Sequence, residues 1–286
     1  MGIAWTAWRK LPLASTPDAT TLGEMLDGGQ SFRWREADGT WTGMFGPHVA
    51  GLRLGAGGLE WRQPEGLPDA GAALALYLDA DGAQARAADA LPWRSDPFLA
   101  GAMARFPGLR ILRQSPDEAL LAFLCSSNKQ IVQIRRMVAA LAEHLGTEIA
   151  PGFHALPDWA TLARADAATL KACGLGYRAA FIQGTARALM RRPGWHQDFN
   201  ALETDALLGE LAALPGVGPK VAACVALFGF GRLESFPVDT WIERILVEGY
   251  RLDGWRRPAL ERFGRAHYGA AAGLAQQFLF AAARGR

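Results

Sequence analysis

Cysteine is scarce and scattered in this 286-residue chain: Cys125, Cys173 and Cys224 lie far apart, with no C-x-x-C pair. That excludes a disulfide framework, a zinc-finger type of site and a four-cysteine iron–sulfur cluster. The five histidines show no metal-ligand spacing either. No apolar run reaches the roughly 20 residues that a membrane-spanning helix needs. The opening MGIAWTAWRKLPLAST lacks a basic stretch followed by an apolar one, so no secretory leader is expected and the cytoplasm is the expected compartment. Charge of one sign is also missing. The net charge of +2 and a pI near 8.5 permit a nucleic-acid partner without requiring one. What is present is an ordinary globular mixture, 50% hydrophobic and 20% charged, which excludes a disordered chain and allows two or three domains.

The texture changes along the chain. Residues 30–62 alternate apolar and polar side chains, with turn signals at Asp38-Gly39, Gly46-Pro47 and between Gly55 and Gly58. This pattern predicts a meander of short antiparallel strands. PDAGAALALYLDA follows as a helix packed on that sheet, and LPWRSDP (91–97) reads as the passage to a second domain. Beyond it the pattern is helical. Ser115-Pro116-Asp117-Glu118 reads as a capping box with proline in the first turn. Ile131, Ile134, Val138, Leu141 and Leu145 recur at helical spacing before Gly146 stops the run. Further helices are expected at 166–172, 178–190, 204–213 and 221–228. The expected fold class is α+β, with an antiparallel-sheet domain at 1–97 and a mostly helical domain at 98–286.

Between two of these helices stands LPGVGPK (214–220). Gly216 and Gly218 are able to take positive φ and to let another backbone approach, and Pro219 suits the first position of the second helix. The free N–H groups and positive dipole end there suit a phosphate. Taken alone, the segment is equally a plain helix connection with a surface lysine. Asp239, in SFPVDTWIERIL, falls 239 − 220 = 19 residues after Lys220 and opens another apolar-periodic helix. By itself it is a good N-cap. Together the two residues place two helix starts within reach of one cleft. The positive end of a dipole disfavours an ammonium, and a deprotonated lysine is a nucleophile.

Six separated segments extend this reading: GGQSFRWRE (28–36), LRQSPDEALLAFLCSSNKQI (112–131), GLGYRA (174–179), LPGVGPKVAACV (214–225), PVD (237–239) and AGLAQQFLF (272–280). In order and spacing they resemble the helix-hairpin-helix DNA glycosylases with a Gly/Pro-Asp loop, and within them the branch that excises 8-oxoguanine. The resemblance spans most of the chain. It implies a hairpin at 214–219, with Gly216 and Gly218 on DNA, and a bifunctional enzyme that excises 8-oxoguanine and ring-opened purines from duplex DNA and then nicks the strand. It implies Lys220 as the nucleophile on the sugar and Asp239 as the catalytic aspartate. Asn128 corresponds to the residue filling the vacated stack, Tyr177 to the wedge and Arg178 to a reader of the orphaned cytosine. Gly29 corresponds to the glycine whose carbonyl accepts the N7 hydrogen found on 8-oxoguanine and not on guanine. Phe280 and Cys224 correspond to the walls sandwiching the base, and Gln276 to a contact on its Watson–Crick edge.

Taken singly, each of these residues also has a plain structural reading: Cys224 and Phe280 as core, Tyr177 as a loop aromatic, Gly29 as a turn. Two positions depart from the family pattern. Gln133 stands where an arginine reads the orphaned cytosine, which predicts a weaker preference for cytosine, and Trp241 stands where a histidine lies near the DNA backbone. No cofactor is expected. The resemblance allows a structural cation on the hairpin carbonyls of Ala212, Leu214 and Val217. It implies damaged duplex DNA as partner, a monomer and no membrane. Two rival readings stand beside it. One is a monofunctional alkyl-base glycosylase of the same superfamily, which lacks the lysine, and the other a non-catalytic helix-hairpin-helix module, which needs no Asp239.

Overall fold

The computed structural model of the protein describes residues 2–284. Its first part is β1 (Arg9–Lys10), α1 (Ala19–Asp27), β2 (Trp34–Ala37), β3 (Thr40–Phe45), β4 (His48–Gly55), β5 (Gly58–Arg62), α2 (Gly71–Tyr77) and α3 (Ala83–Asp89). Then come α4 (Pro97–Arg105), α5 (Pro116–Ser126), α6 (Ile131–Leu145) and a small hairpin of β6 (Glu148–Ala150) and β7 (Phe153–His154). The remainder is helical: α7 (Trp159–Arg164), α8 (Ala167–Ala172), α9 (Arg178–Met190), α10 (Trp195–Asn200), α11 (Thr204–Ala212), α12 (Pro219–Phe228), α13 (Thr240–Tyr250), α14 (Arg257–Tyr268) and α15 (Ala272–Arg284). The α+β expectation and the predicted meander hold. No helix among the described residues is long and apolar enough to cross a membrane.

The main sheet runs β1-β5-β4-β3-β2, antiparallel throughout. Its core face is organised by Trp34, which is fully buried and pairs in register with Gly43. A Cβ at Gly43 would lie 2.7 Å from the Trp34 ring, so the strand opposite has no side chain where the indole lies. Trp34 stacks on Phe45 and donates from Nε1 to the Tyr77 hydroxyl at 3.1 Å, which ties the sheet to α2. β1, with two residues, and α3 carry too little periodicity to be read from sequence. The β6–β7 hairpin likewise went unpredicted.

Buried polar groups join the sheet to the helices. Ser115 caps α5 by accepting from the Glu118 N–H at 3.2 Å, but Glu118 does not complete the predicted capping box. Its carboxylate turns to the sheet and accepts from the Gly46 N–H at 2.9 Å. That backbone donor lies in the turn between β3 and β4, so tertiary packing outcompetes the local bond. Burial pushes the Glu118 carboxyl up, partly offset by the nearby Arg33 charge. On the other side, Asp96 caps α4 and also accepts from the Tyr250 hydroxyl at 2.8 Å and from His267 at 3.1 Å, linking α4 to α13 and α14.

The segment between α11 and α12 is a tight hairpin. Gly216 has φ +79, and a Cβ there would come within 2.4 Å of the Phe181 Cβ. The turn is held by Thr185, which donates to the Pro215 carbonyl at 2.7 Å, and by Val217 N–H to Leu214 O at 3.1 Å. Pro219 stands in the first turn of α12 as predicted. Gly218 corrects the sequence expectation, because its φ is −86 and its ψ 176, ordinary extended backbone for an N-cap. Nothing lies within 4 Å of a Cβ built on it. What glycine provides at 218 is open space above the helix start.

Two outcomes follow. Gly216→Ala forces alanine into a left-handed conformation against Phe181 and should destabilise the fold by more than about 1 kcal/mol, whereas Gly218→Ala should leave the thermal midpoint nearly unchanged. Equal losses in both would overturn this account of the turn. A carboxyl raised by burial stabilises the fold while protonated, and that contribution is lost as pH rises from the unfolded value through the raised folded one. The melting-temperature difference between Glu118→Gln and the wild type should therefore shift in the variant's favour as pH rises from about 4 to about 7. A difference that stays flat with pH would place Glu118 in the ordinary carboxylate range.

Candidate active site

Lys220 and Asp239 stand at the starts of two successive helices. α12 begins at the hairpin, so Lys220 is its second residue, half-buried, with Nζ 5.2 Å from the centre of the Phe123 ring of α5. Asp239 is the N-cap of α13, and its Oδ1 accepts from the Ile242 N–H at 2.9 Å. Its second oxygen takes no hydrogen bond from the described residues and is free for chemistry. The segment before it, Ser235 to Val238, is buried. Ser235 donates to the Ala223 carbonyl of α12 at 2.9 Å, and Phe236 presses on α14 so closely that a Cβ at Gly264 would meet its ring at 2.5 Å.

Cys224, one turn after Lys220 on α12, is buried. Its thiol is pushed up by burial, pulled down by the charge and hydrogen bond of Lys220, and pushed up again by the charge of Asp239. The bland reading of each residue also holds: Cys224 is core and Asp239 is a cap. The structure adds that both do so in one place beside a lysine.

The base-pocket residues form a second group. Gly29 follows α1 with φ +107, and a Cβ there would lie 3.0 Å from Ile131 Cδ1 and 3.9 Å from Phe280 Cε1. Phe280 and Gln276 occupy one face of α15, Gln276 buried with its Oε1 accepting from Gln277 at 2.7 Å. α15 approaches α12 at Gly273, where a Cβ would be 2.4 Å from Leu227, one turn beyond Cys224.

A third group surrounds the loop after α5. Asn128 is exposed with φ +53, a conformation asparagine tolerates better than most residues. Tyr177 is 55% exposed and its hydroxyl donates to the Ser127 carbonyl at 3.4 Å. Arg178 is buried, donates to the carbonyls of Ser127 and Leu175, and lies 4.5 Å from the Tyr177 ring centre. Arg178 is thus committed to backbone carbonyls, with its Nε buried and unpaired. Gln133 accepts from the Gln130 N–H at 3.2 Å and so helps cap α6. Trp241 projects from the first turn of α13, 42% exposed.

Sequence reading missed Phe181. It is 42% exposed, makes an edge contact with Tyr177 at 6.0 Å, and backs onto Gly216, so it joins the wedge to the hairpin. Its signal was there, one helical turn after Tyr177. Cavity size does not mark the site, since a cavity of about 690 Å³ lined by Arg33, Arg35, Arg136 and neighbouring residues between the sheet and α6 contains neither Lys220 nor Asp239. Among the described residues no group of three or more His, Cys, Asp or Glu is placed to hold a metal ion.

Residues 121–264 match the model of the HhH-GPD superfamily base excision DNA repair proteins, and residues 13–120 match the 8-oxoguanine DNA glycosylase N-terminal domain. The N-glycosylase/DNA lyase OGG1 of Arabidopsis thaliana is 34% identical over 292 residues, covering 95% of this chain and 79% of that protein. A Clostridium acetobutylicum 8-oxoguanine glycosylase/lyase, solved with duplex DNA carrying cytosine opposite 8-oxoguanine, superposes with a TM-score of 0.85 at 27% identity, over 92% of this chain and 91% of that one. The 3-methyladenine DNA glycosylase of Archaeoglobus fulgidus, at 16% identity and a TM-score of 0.74, covers 98% of this chain and 99% of its own and shares the fold. With its hairpin, its Lys220–Asp239 pair and both halves of its length matched, the chain belongs to the HhH-GPD superfamily of base excision DNA repair proteins.

Proposed function

We propose that the chain excises 8-oxoguanine, and with it ring-opened purines, from duplex DNA and then cleaves the strand at the resulting abasic site. The observation that carries this reading is the placing of Lys220 and Asp239 at the starts of α12 and α13, with the segment before Asp239 bonded to α12 through Ser235 and the Ala223 carbonyl. A target base has to leave the stack before it is attacked, at a cost of a few kcal/mol. Tyr177, exposed beside the hairpin, wedges the gap, and Asn128 fills it. The open backbone at Gly218 and the start of α12 receive a phosphate.

In the reaction the deprotonated Lys220 amine attacks C1′, forming a C–N bond as the glycosidic bond breaks and its electron pair leaves with the base. The Asp239 carboxylate stabilises the positive charge that develops on the sugar. The amine then gives one proton to the departing base, and the sugar ring opens at C1′–O4′, with O4′ taking a proton from water, to yield a protonated Schiff base. Abstraction of a C2′ hydrogen from it breaks the C3′–O3′ bond and expels the 3′ phosphate by β-elimination. A monofunctional alkyl-base enzyme has no use for Lys220, and a binding module has none for Asp239. No cofactor enters these steps. The hairpin carbonyls of Ala212, Leu214 and Val217 form a neutral oxygen set that suits a monovalent cation, although Leu214 O already accepts one N–H. The enzyme acts as a monomer in the compartment that holds the DNA.

Borohydride should trap a covalent adduct between the protein and a duplex containing 8-oxoguanine, and Lys220→Gln should abolish both trapping and base release. An adduct formed by Lys220→Gln would remove Lys220 from the role. Asp239→Asn keeps a capping oxygen and loses the charge, so melting and DNA affinity should stay close to wild type while excision slows about 100-fold or more. An unchanged excision rate would reduce Asp239 to a cap.

Gln133 bears on the opposite base. A neutral amide already engaged in capping α6 cannot provide the charge-assisted fork of an arginine. Arg178 already donates to the Ser127 and Leu175 carbonyls, which fixes where its remaining N–H groups point. Single-turnover excision with C, T, G or A opposite the lesion should show a cytosine preference that is smaller in the wild type than in Gln133→Arg. Equal preferences would mean that other residues read the cytosine.

A further inference from the structure

Gly29 sits between two neighbours that are each tied to a different part of the molecule. After it, Gln30 is buried and fully engaged. Its side chain donates to the Arg110 carbonyl at 3.0 Å and accepts from the Leu112 N–H at 2.9 Å, and its own carbonyl accepts from Gln114 at 2.7 Å. Before it, the Gly28 carbonyl accepts from Arg284, a residue 256 positions away at the end of α15. The same guanidinium donates to Glu24 at 3.2 Å and lies 5.5 Å from the Phe280 ring centre. One residue further back, both carboxylate oxygens of Asp27 accept from Arg135 of α6 at 2.7 Å. α6 is the helix whose first residue, Ile131, touches Gly29 from the other side.

Among these ties only Arg284 comes from the helix that carries the pocket. Gln276, Phe280 and Arg284 follow one another at four-residue steps along α15, so the side chain that grips Gly28 is one turn beyond the aromatic wall facing Gly29. The Glu24–Arg284 pair is partly buried, with side chains 16% and 28% exposed. Burial raises the Glu24 carboxyl and the Arg284 charge pulls it back, so the pair compensates a desolvation that a surface pair does not meet. Reading a lesion through one backbone carbonyl demands placement to within about 0.5 Å, because a displaced carbonyl loses both the bond to the N7 hydrogen of 8-oxoguanine and the repulsion of the N7 lone pair of guanine.

We propose that Arg284 is a positioning residue for lesion recognition: gripping Gly28 from the helix that carries Phe280, it sets the Gly29 backbone at a fixed separation from the pocket wall. This rests on the reading of Gly29 as the group that distinguishes 8-oxoguanine. It assigns Arg284 and Glu24 to substrate selection without contact to the DNA or to the reacting atoms.

The test compares two reactions of the same protein, single-turnover excision of 8-oxoguanine opposite cytosine and cleavage of a duplex with a preformed abasic site, which carries no base to read. Arg284→Ala should slow excision about tenfold, the size of one lost charge-assisted hydrogen bond, and slow abasic-site cleavage far less. Arg284→Lys should regain part of the excision rate, since it restores one donor without the fork. Glu24→Gln, which keeps the shape and frees the guanidinium, should shift the ratio of the two rates in the same direction by a smaller factor. Unchanged excision in Arg284→Ala, or an equal fall in both reactions, would overturn the proposal. A wild-type protein that cleaves abasic sites and leaves 8-oxoguanine in place would overturn the substrate reading itself and this proposal with it. That failure shows in the wild type before any variant is made.

Discussion

Helix α12 is buried from Val221 to Phe228, and the chain leading to Asp239 is laid directly across it. Ala222, Ala223, Cys224 and Ala226 give the helix a narrow surface, so its neighbours come close. The Ser235 hydroxyl bonds the Ala223 carbonyl, and Gly273 of α15 leaves room for neither a Cβ against Leu227 nor one against Ser235 O. Lys220 is one turn above this contact and Asp239 one residue past the end of the buried segment. The separation of Lys220 and Asp239 is therefore a property of core packing. Long loops would leave such a pair too loose for chemistry.

The hairpin and the buried cross-ties do opposite work. At the hairpin, backbone N–H groups and the positive end of α12 stay uncovered, and the exposed Tyr177 and Phe181 stand beside them. A surface of that kind leaves its polar groups for a partner to satisfy. Behind it, several buried side chains bond across elements. Arg110 spends its guanidinium on the carbonyls of Gly108, Leu78 and Ser15, Gln30 spends its amide on residues 110 and 112, and Asp96 joins three helices. Such bonds are worth little each but are expensive to leave unmade, so they specify one way for the sheet and the helices to meet.

Much of the secondary structure was legible because local chemistry decides it. Ser115 and Asp239 are N-caps in the structure as in the sequence, Pro219 opens α12, and the turns of the meander fall at the Asp-Gly, Gly-Pro and Gly-rich positions. Misreadings arose where a distant partner competes with a local one. Glu118 has the right spacing to return to Ser115, yet the Gly46 N–H of a different element takes its carboxylate. Gly218 has the residue type for positive φ, yet the N-cap of a helix demands extended backbone. Phe181 was overlooked although it follows Tyr177 by one helical turn, because nothing in the sequence shows that the hairpin packs against it.

The sequence by itself determined the identity of the chemistry-bearing residues: a lysine behind a glycine–proline turn, an aspartate 19 residues later, and glycines, aromatics and amides in recognisable segments. It did so because caps, turns and helical periodicity act over a few residues and leave their mark in composition. Tertiary structure decided which of those residues meet. It brought Gly29 of the first segment against Phe280 of the last, laid the segment before Asp239 on the helix that carries Lys220, and turned Arg178 inward to backbone carbonyls. It also recruited Arg284, which no motif marks, to hold the Gly28 carbonyl. Contacts between residues more than 200 positions apart depend on how whole helices pack, and no short-range pattern records that packing.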